Sequence, residues 1–480
     1  MVCWKIYIKL HKISLGTPLS SNNMELKKIF TSAILAVIST AAATAAHPAV
    51  TTAANPDFNT FFADSTLRVD YVFGGGPGGI KVMLDSQSKQ AGWAGRRHHL
   101  KDVPTNHNGF ITVTDPATGD TIYRNTFSSL FLEWIYTPEA ETIDMSFEHP
   151  FLVPLPKKEA DINVSLYSNR HEVIGSLTHR YRPNDELVAL RGTNPMPHKY
   201  LHKGGDPKEA IDIAVLAEGY RPEEMDEFVD RAGVIVNEIL NYEPFASNKD
   251  RFNFVAVMTP SRESGVSVPL KGQWKDTAFE SHYSTFYSSR YLTTPRVKRL
   301  HQMLEGIPYE HILMVVNTPE YGGGGIYNNY QIAAANHELT LPVSVHEFGH
   351  SFGGLADEYF YANDEDDSYP LDVEPWAPNI TTMVDFDSKW KDMVTPGTPI
   401  PTPWVDKGGT REERMAEAKR QREEMKKKKP VVGAFEGGGY KAKGIYRPVE
   451  TCRMRDNYNP TFCPVCEQAL RRIIDFYTLP

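Results

Sequence analysis

Cysteine is almost absent: the 480-residue chain has four, with Cys3 alone near the start and Cys452, Cys463 and Cys466 together near the end. That excludes a disulfide-built mini-scaffold, so the chain must be held by its own apolar cores. No run of about 20 apolar residues occurs, and no integral membrane segment is expected in the mature chain. Positive charge is also short, the formal net charge being −9, which argues against a nucleic-acid partner that would need a basic face. No internal repeat is found, which excludes a solenoid. The run Gly74-Gly-Gly-Pro-Gly-Gly79 lacks the Lys-Ser/Thr tail and the following helix of a phosphate loop, so it reads as a hairpin connection.

What is present suits a large globular protein. Hydrophobic residues make up 41% and charged residues 23%, enough apolar material for two cores at this length. From Met24 the chain shows Lys27 and Lys28, the apolar stretch Ile29 to Ile38 and the small-residue site Ala43-Thr44-Ala45. Residues 24–46 are therefore expected to be a secretory signal peptide, and residues 1–23 a non-native upstream extension ahead of the true initiator. No lipobox cysteine follows the signal. Export to the periplasm, the cell surface or the medium is the expectation.

Residues 55–192 carry the alternation of half-buried strands: Thr66 to Phe73, Phe110 to Asp115, Asp120 to Arg124 and Asp161 to Tyr167. A β-sandwich is expected there. From 205 to 480 the pattern becomes strand, helix, strand. Ile211 to Leu216, Phe252 to Met258 and His311 to Asn317 read as buried strands, with a helix over Pro222 to Asn241. Tyr330 to Ala335 adds a strand, and Cys466 to Tyr477 a final helix. Residues 408–430 are an insertion whose core, Arg411 to Lys429, pairs Glu423 with Lys427 and Glu424 with Lys428, as on a solvated helix. The acidic run Asn363 to Asp367 lacks the glycine and the terminal glutamate of a calcium loop and reads as a solvated turn. The fold class is α+β multidomain, an N-terminal β-sandwich followed by an α/β catalytic domain.

The chemistry lies in residues 343–361, VSVHEFGHSFGGLADEYFY. Positions four apart stack on one helix face, so His346 and His350 present both imidazoles to one metal ion while Glu347 points at a water on it. A catalytic Zn2+ at such a site lowers the pKa of that water, and Glu347 takes its proton as general base and returns it as general acid. The helix is expected to end at Gly353-Gly354, where glycine admits the left-handed conformation and turns the chain back. A metzincin would place a third histidine six residues after the second, where this chain has Ala356. Asp357, one residue later, is the preferred third metal ligand if Gly354 makes the turn; Glu358, or a later Glu365 or Glu374, are the alternatives. Met454, within Glu450-Thr-Cys-Arg-Met-Arg455, stands where metzincins place a methionine turn beneath the metal. Cys463-Pro-Val-Cys466 has metal-knuckle spacing, but three sulfurs are one short of four ligands, and a disulfide or buried thiols is preferred.

Taken together, HEFGHSFGGLADEY, Ala217-Glu-Gly-Tyr220, CRMR followed by FCPVCEQAL and, in the first half, TLRVDYVF, GWAG and FSSLFLEW resemble the IgA-peptidase family of secreted bacterial metallopeptidases, which are metzincin-like zincins. The resemblance covers nearly all of the mature chain. It implies a metzincin-like zincin domain, zinc held by His346, His350 and Asp357, and Glu347 as the catalytic base. The implied activity is that of a zinc endopeptidase acting on a protein or peptide substrate, without fixing which one. A substrate strand is expected to add to Gly322–Ala335, and Tyr458 is a candidate donor to the developing oxyanion. The competing readings are an exported protein- or glycan-binding protein with a vestigial zinc site, and a zinc amidase acting on cell-wall peptides.

Overall fold

The computed structural model describes residues 55–361, 368–404 and 429–480, together with 410, 412, 413, 416, 419, 420 and 423. The expected signal peptide, the acidic run 363–367 and most of the 411–429 stretch lie outside the described residues. The six described residues between 412 and 423 are helical and exposed.

In the first half, a short helix α1 (Phe58–Phe61) leads into β1 (Phe62–Gly76), β2 (Gly79–Ala91), β3 (Gly109–Thr114) and β4 (Thr121–Phe127). Helix α2 (Leu130–Trp134) follows, then β5 (Met145–Pro156), β6 (Ala160–Tyr167), β7 (Val173–Tyr181) and β8 (Ala189–Leu190). They form two four-stranded sheets, ordered β5-β1-β2-β8 and β4-β3-β6-β7. Alternation decides the faces: Leu67, Val69, Tyr71 and Phe73 of β1 meet Ile162, Val164 and Leu166 of β6 in one core between the sheets. The glycine run is a hairpin, Gly76 pairing with Gly79 across Pro77-Gly78. Two charged residues in the middle of β1 do not face water. Arg68 and Asp70, 2.7 Å apart and buried, sit where the second half packs against the sheet, and Arg68 also donates to the Lys298 carbonyl.

The second half is built on a six-stranded sheet, ordered β13-β14-β12-β10-β11-β9. Its strands are β9 (His198–Lys203), β10 (Ile211–Glu218), β11 (Phe252–Val257), β12 (His311–Val316), β13 (Gly323–Ile326) and β14 (Tyr330–Ala334). β10, β11, β12 and β14 run parallel, with β9 and β13 antiparallel at the edges. The central strands are apolar and buried on both faces, as parallel strands covered on two sides must be. One face packs on α3 (Met225–Ile239), α5 (Thr340–Ser351) and α6 (Pro464–Thr478). The other packs on residues 278–309, which include α4 (Val297–Met303). A hairpin of β15 (Phe435–Gly438) and β16 (Lys441–Arg447) precedes α6. Residues 54–480 form one compact unit. Among the described residues no helix is long and apolar enough to cross a membrane.

The Ala217-Glu-Gly-Tyr220 motif has a structural role. Glu218, fully buried at the end of β10, accepts from Thr277 Oγ1 at 2.7 Å and from the backbone N–H groups of Phe279 and Ser281 at 3.0 and 2.9 Å, fixing the loop that crosses the sheet end. Gly219 has φ +72°, and a Cβ there would lie 2.0 Å from the Gly265 carbonyl oxygen.

Buried histidines set an acid limit on this fold, His149 and His311 among them. His149 stacks on Phe73 at 4.9 Å in the sandwich core and burial pushes it down to about 3; burial takes His311, on β12, down to about 4. Both are neutral in the fold, whereas the unfolded chain protonates them near 6.5. Below that pH the unfolded state binds more protons, so this stabilisation, full above about 6.5, is lost as pH falls towards 4. Denaturant midpoints are expected to be lower at pH 5 than at pH 7, with His311→Phe narrowing the difference.

Candidate metal centre

Helix α5 carries the motif because its two faces have different tasks. Val345, Phe348 and Phe352 enter the core beneath the sheet, Phe348 and Phe352 stacking at 5.1 Å, while His346 and His350 share the other face. The helix ends as glycine permits. Gly354 adopts φ +60°, its N–H bonds the His350 carbonyl at 2.9 Å, and Leu355 N–H reaches back to Gly349 at 3.2 Å. Gly354 is thus the turning residue, and the chain folds back with one residue more than the shorter histidine spacing.

That return brings Asp357 to the histidines. Asp357 Oδ1 lies 3.0 Å from His346 Nε2 and 3.4 Å from His350 Nε2, and the two Nε2 atoms are 3.0 Å apart. Its backbone is held on both sides. Asn379 brackets Ala356, accepting from its N–H at 2.8 Å and donating to its carbonyl at 2.9 Å, while Gly439 N–H donates to the Asp357 carbonyl at 2.8 Å. Tyr440 donates to Asp357 Oδ2 at 2.5 Å. Of the alternative carboxylates, Glu358 points to the cysteines, Glu374 accepts from Thr382 and from the Asp385 N–H, and Glu365 lies outside the described residues.

The ring protons can be assigned. His346 Nδ1 lies 3.0 Å from the Arg453 carbonyl and His350 Nδ1 2.6 Å from the Leu355 carbonyl. A carbonyl only accepts, so both Nδ1 atoms carry hydrogen and both Nε2 atoms present lone pairs to each other and to a carboxylate oxygen that has no hydrogen-bond donor. Three electron-rich atoms crowded in a buried site need a positive charge among them. With no cation, a proton must serve: burial opposes it, but the Asp357 carboxylate outweighs burial and pushes His350 up to about 9. A divalent cation relieves all three contacts at once, so the donor set fits a metal ion. Glu347, beside it and half-buried, has its carboxyl raised by burial against the lowering fields of the two histidines.

The methionine turn lies beneath. Arg455 N–H bonds the Cys452 carbonyl at 3.0 Å, closing a turn that buries Met454 under α5. A Cβ at Gly349 would meet Met454 Sδ at 2.6 Å. The same turn supplies the Arg453 carbonyl to His346.

The glycine run 322–325 serves the protein's own packing. β13 is an edge strand, but its glycines admit the protein's own parts: a Cβ at Gly325 would lie 2.9 Å from His350 Cβ, and one at Gly323 3.0 Å from Glu347 Oε1. On the alternate side Gly322 and Gly324 face the Arg290 and Leu292 carbonyls, and Leu292 N–H bonds the Gly323 carbonyl at 3.3 Å, so the edge is occupied there. Tyr440, not Tyr458, is the tyrosine hydrogen-bonded at the centre.

Further residues carried no local signal. Glu133 of α2 accepts from Tyr291 at 2.5 Å, and its carboxyl is raised by burial to about 7 within the fields of His350, Glu347 and Asp357. The first half therefore reaches the site. Arg290 bridges the Tyr359 and Tyr361 hydroxyls at 3.1 and 2.7 Å. Only a folded chain brings these together.

Two imidazoles, an aspartate and an adjacent glutamate on a helix and its return define a candidate metal-dependent hydrolase centre. Comparison with protein families makes the class specific: residues 200–474 match the model described as IgA Peptidase M64, and residues 57–178 match Peptidase M64 N-terminus. The chain belongs to the IgA peptidase M64 family and is of the peptidase class. No curated protein matches it.

The Met454–Gly349 contact has a measurable consequence. Gly349→Ala is expected to destabilise the fold by about 1–2 kcal/mol, overpacking outweighing the helix propensity gained. Adding Met454→Ala makes room for the methyl, so the double variant is expected to lose less than the sum of the single losses in denaturation.

Proposed function

We propose that the chain is an exported zinc endopeptidase: a signal peptide over 24–46, a β-sandwich over 55–192 and a metzincin-like catalytic domain over 205–480 bearing the 408–430 insertion. The observation that supports this most is the convergence of two imidazole lone pairs and an orphan carboxylate oxygen beside Glu347. His346 Nε2, His350 Nε2 and Asp357 would hold the ion. Bound there, zinc supplies Lewis acidity, lowering the pKa of water and polarising a peptide carbonyl.

The remaining work belongs to the chain's own groups. Glu347 accepts the proton of the attacking water and returns it to the amide nitrogen as that nitrogen leaves, so no net proton is consumed in the step. Burial, which raises its carboxyl, brings its basicity closer to that required for exchange near neutrality. The Arg453 and Leu355 carbonyls hold both imidazoles in the ligand tautomer, and Tyr440 fixes the rotation of the Asp357 carboxylate. Glu133, held by the Tyr291 hydroxyl, adds a buried carboxyl within the electrostatic field of the site. The substrate is a protein or peptide.

Glu347→Gln is expected to retain zinc while peptide-library cleavage falls about 10²–10⁴-fold. Asp357→Ala is expected to lose zinc to a weak chelator that leaves the native protein loaded. Wild-type cleavage unaffected by Glu347→Gln would remove the proposed base, and unchanged zinc retention in Asp357→Ala would remove the third ligand.

A further inference from the structure

Glu358, the neighbour of Asp357, turns away from the histidines into a second cluster that the reaction does not use. Glu358, Cys452, Cys463 and Cys466 are all buried, and each offers one ligand atom within 4.8 Å of those of the others. The three thiols are unbridged. Cys452 Sγ and Cys466 Sγ are 3.8 Å apart, and Cys466 Sγ is 3.2 Å from Glu358 Oε1. Glu358 Oε2 is buried with no hydrogen-bond partner. Pairing Cys452 with Cys466 would leave that oxygen and Cys463 unaccounted for.

Burial raises the Cys452 and Cys466 thiols, so two of the three sulfurs need a cation to ionise, and backbone N–H groups already turn towards the cluster. Cys463 N–H donates to Cys452 Sγ at 3.2 Å and Cys466 N–H to Cys463 Sγ at 3.5 Å. Cys463 caps the N-terminus of α6 and Cys466 lies in its first turn, where the helix end favours negative charge. Asn379, oriented by Ala356, donates to Glu358 Oε1 at 3.0 Å and so aims the carboxylate. The fully buried Arg447 adds a positive field at Glu358. Three thiolates and one carboxylate make a closed set of four ligands with no open position, the chemistry of a structural zinc site.

We propose that Cys452, Cys463, Cys466 and Glu358 bind a second zinc ion, structural in role. Binding forms three Zn–S bonds and one Zn–O bond and releases the thiol protons to solvent. The ion would tie together the two segments that define the first centre. Glu358 follows Asp357 and its N–H bonds the Met454 carbonyl at 2.8 Å, and Cys452 opens the turn whose Arg453 carbonyl orients His346.

The test uses the full chain, purified without chelator or added thiol, and zinc and cobalt as probes. About two equivalents of zinc are expected in the native protein, and about one in the His346→Ala/His350→Ala double variant, which leaves every cysteine in place. Cobalt in that double variant is expected to give a sulfur-to-metal charge-transfer band in the near ultraviolet, and Cys463→Ser to remove the band together with one equivalent of metal. A metal-free histidine double variant, cobalt bound without the charge-transfer band, or a Cys452–Cys466 disulfide in peptide maps of alkylated protein would each overturn the proposal. Loss of the first centre alone leaves this readout intact, so the two assignments fail separately.

Discussion

The turn at Cys452–Arg455 holds α5 from below, and the arrangement of the candidate site depends on it. Its Arg453 carbonyl fixes the His346 ring, its Met454 side chain fills the space that Gly349 leaves open, and its Met454 carbonyl receives the Glu358 N–H. Helix, turn and return segment are thereby locked as one body before any ion is considered. An imidazole free to rotate would lose the alignment of its lone pair, and a metal centre assembled from loosely held ligands binds weakly.

The first half of the chain is part of the same construction. The polar face of β1, which an isolated sandwich would present to water, is buried against the second half through Arg68 and Asp70. On the same side α2 delivers Glu133 to Tyr291, and Tyr327 joins the halves through its carbonyl, which accepts from Ser128 N–H at 2.9 Å. The first half thus brings a buried carboxyl into the electrostatic field of the histidine cluster in the second.

Much of the fold was legible because the signals are periodic. Continuous apolar runs marked β10, β11 and β12, alternation marked β1, β3, β4 and β6, and the final helix, expected from Cys466 to Tyr477, spans Pro464–Thr478. The glycines 322–325 were harder to interpret, since the sequence does not distinguish room for a substrate from room for the protein's own helix and for the 290–292 segment. The place of Glu358 was hidden for a related reason: read along the chain it competed with Asp357, and only the fold sets it within 4.8 Å of the three buried thiols.

The sequence by itself determined the spacing of His346 and His350 on one helix face, the Glu347 beside them and the requirement that a glycine end the helix, because local geometry needs only neighbours along the chain. Tertiary structure alone decided that Gly354 is the residue with positive φ, that Asp357 and Glu358 face opposite clusters, and that Tyr440, Asn379 and Glu133 stand around them. Those choices depend on packing between segments far apart in the chain, where the path of one segment is set by what the others leave unfilled and by which buried polar atoms still need a partner.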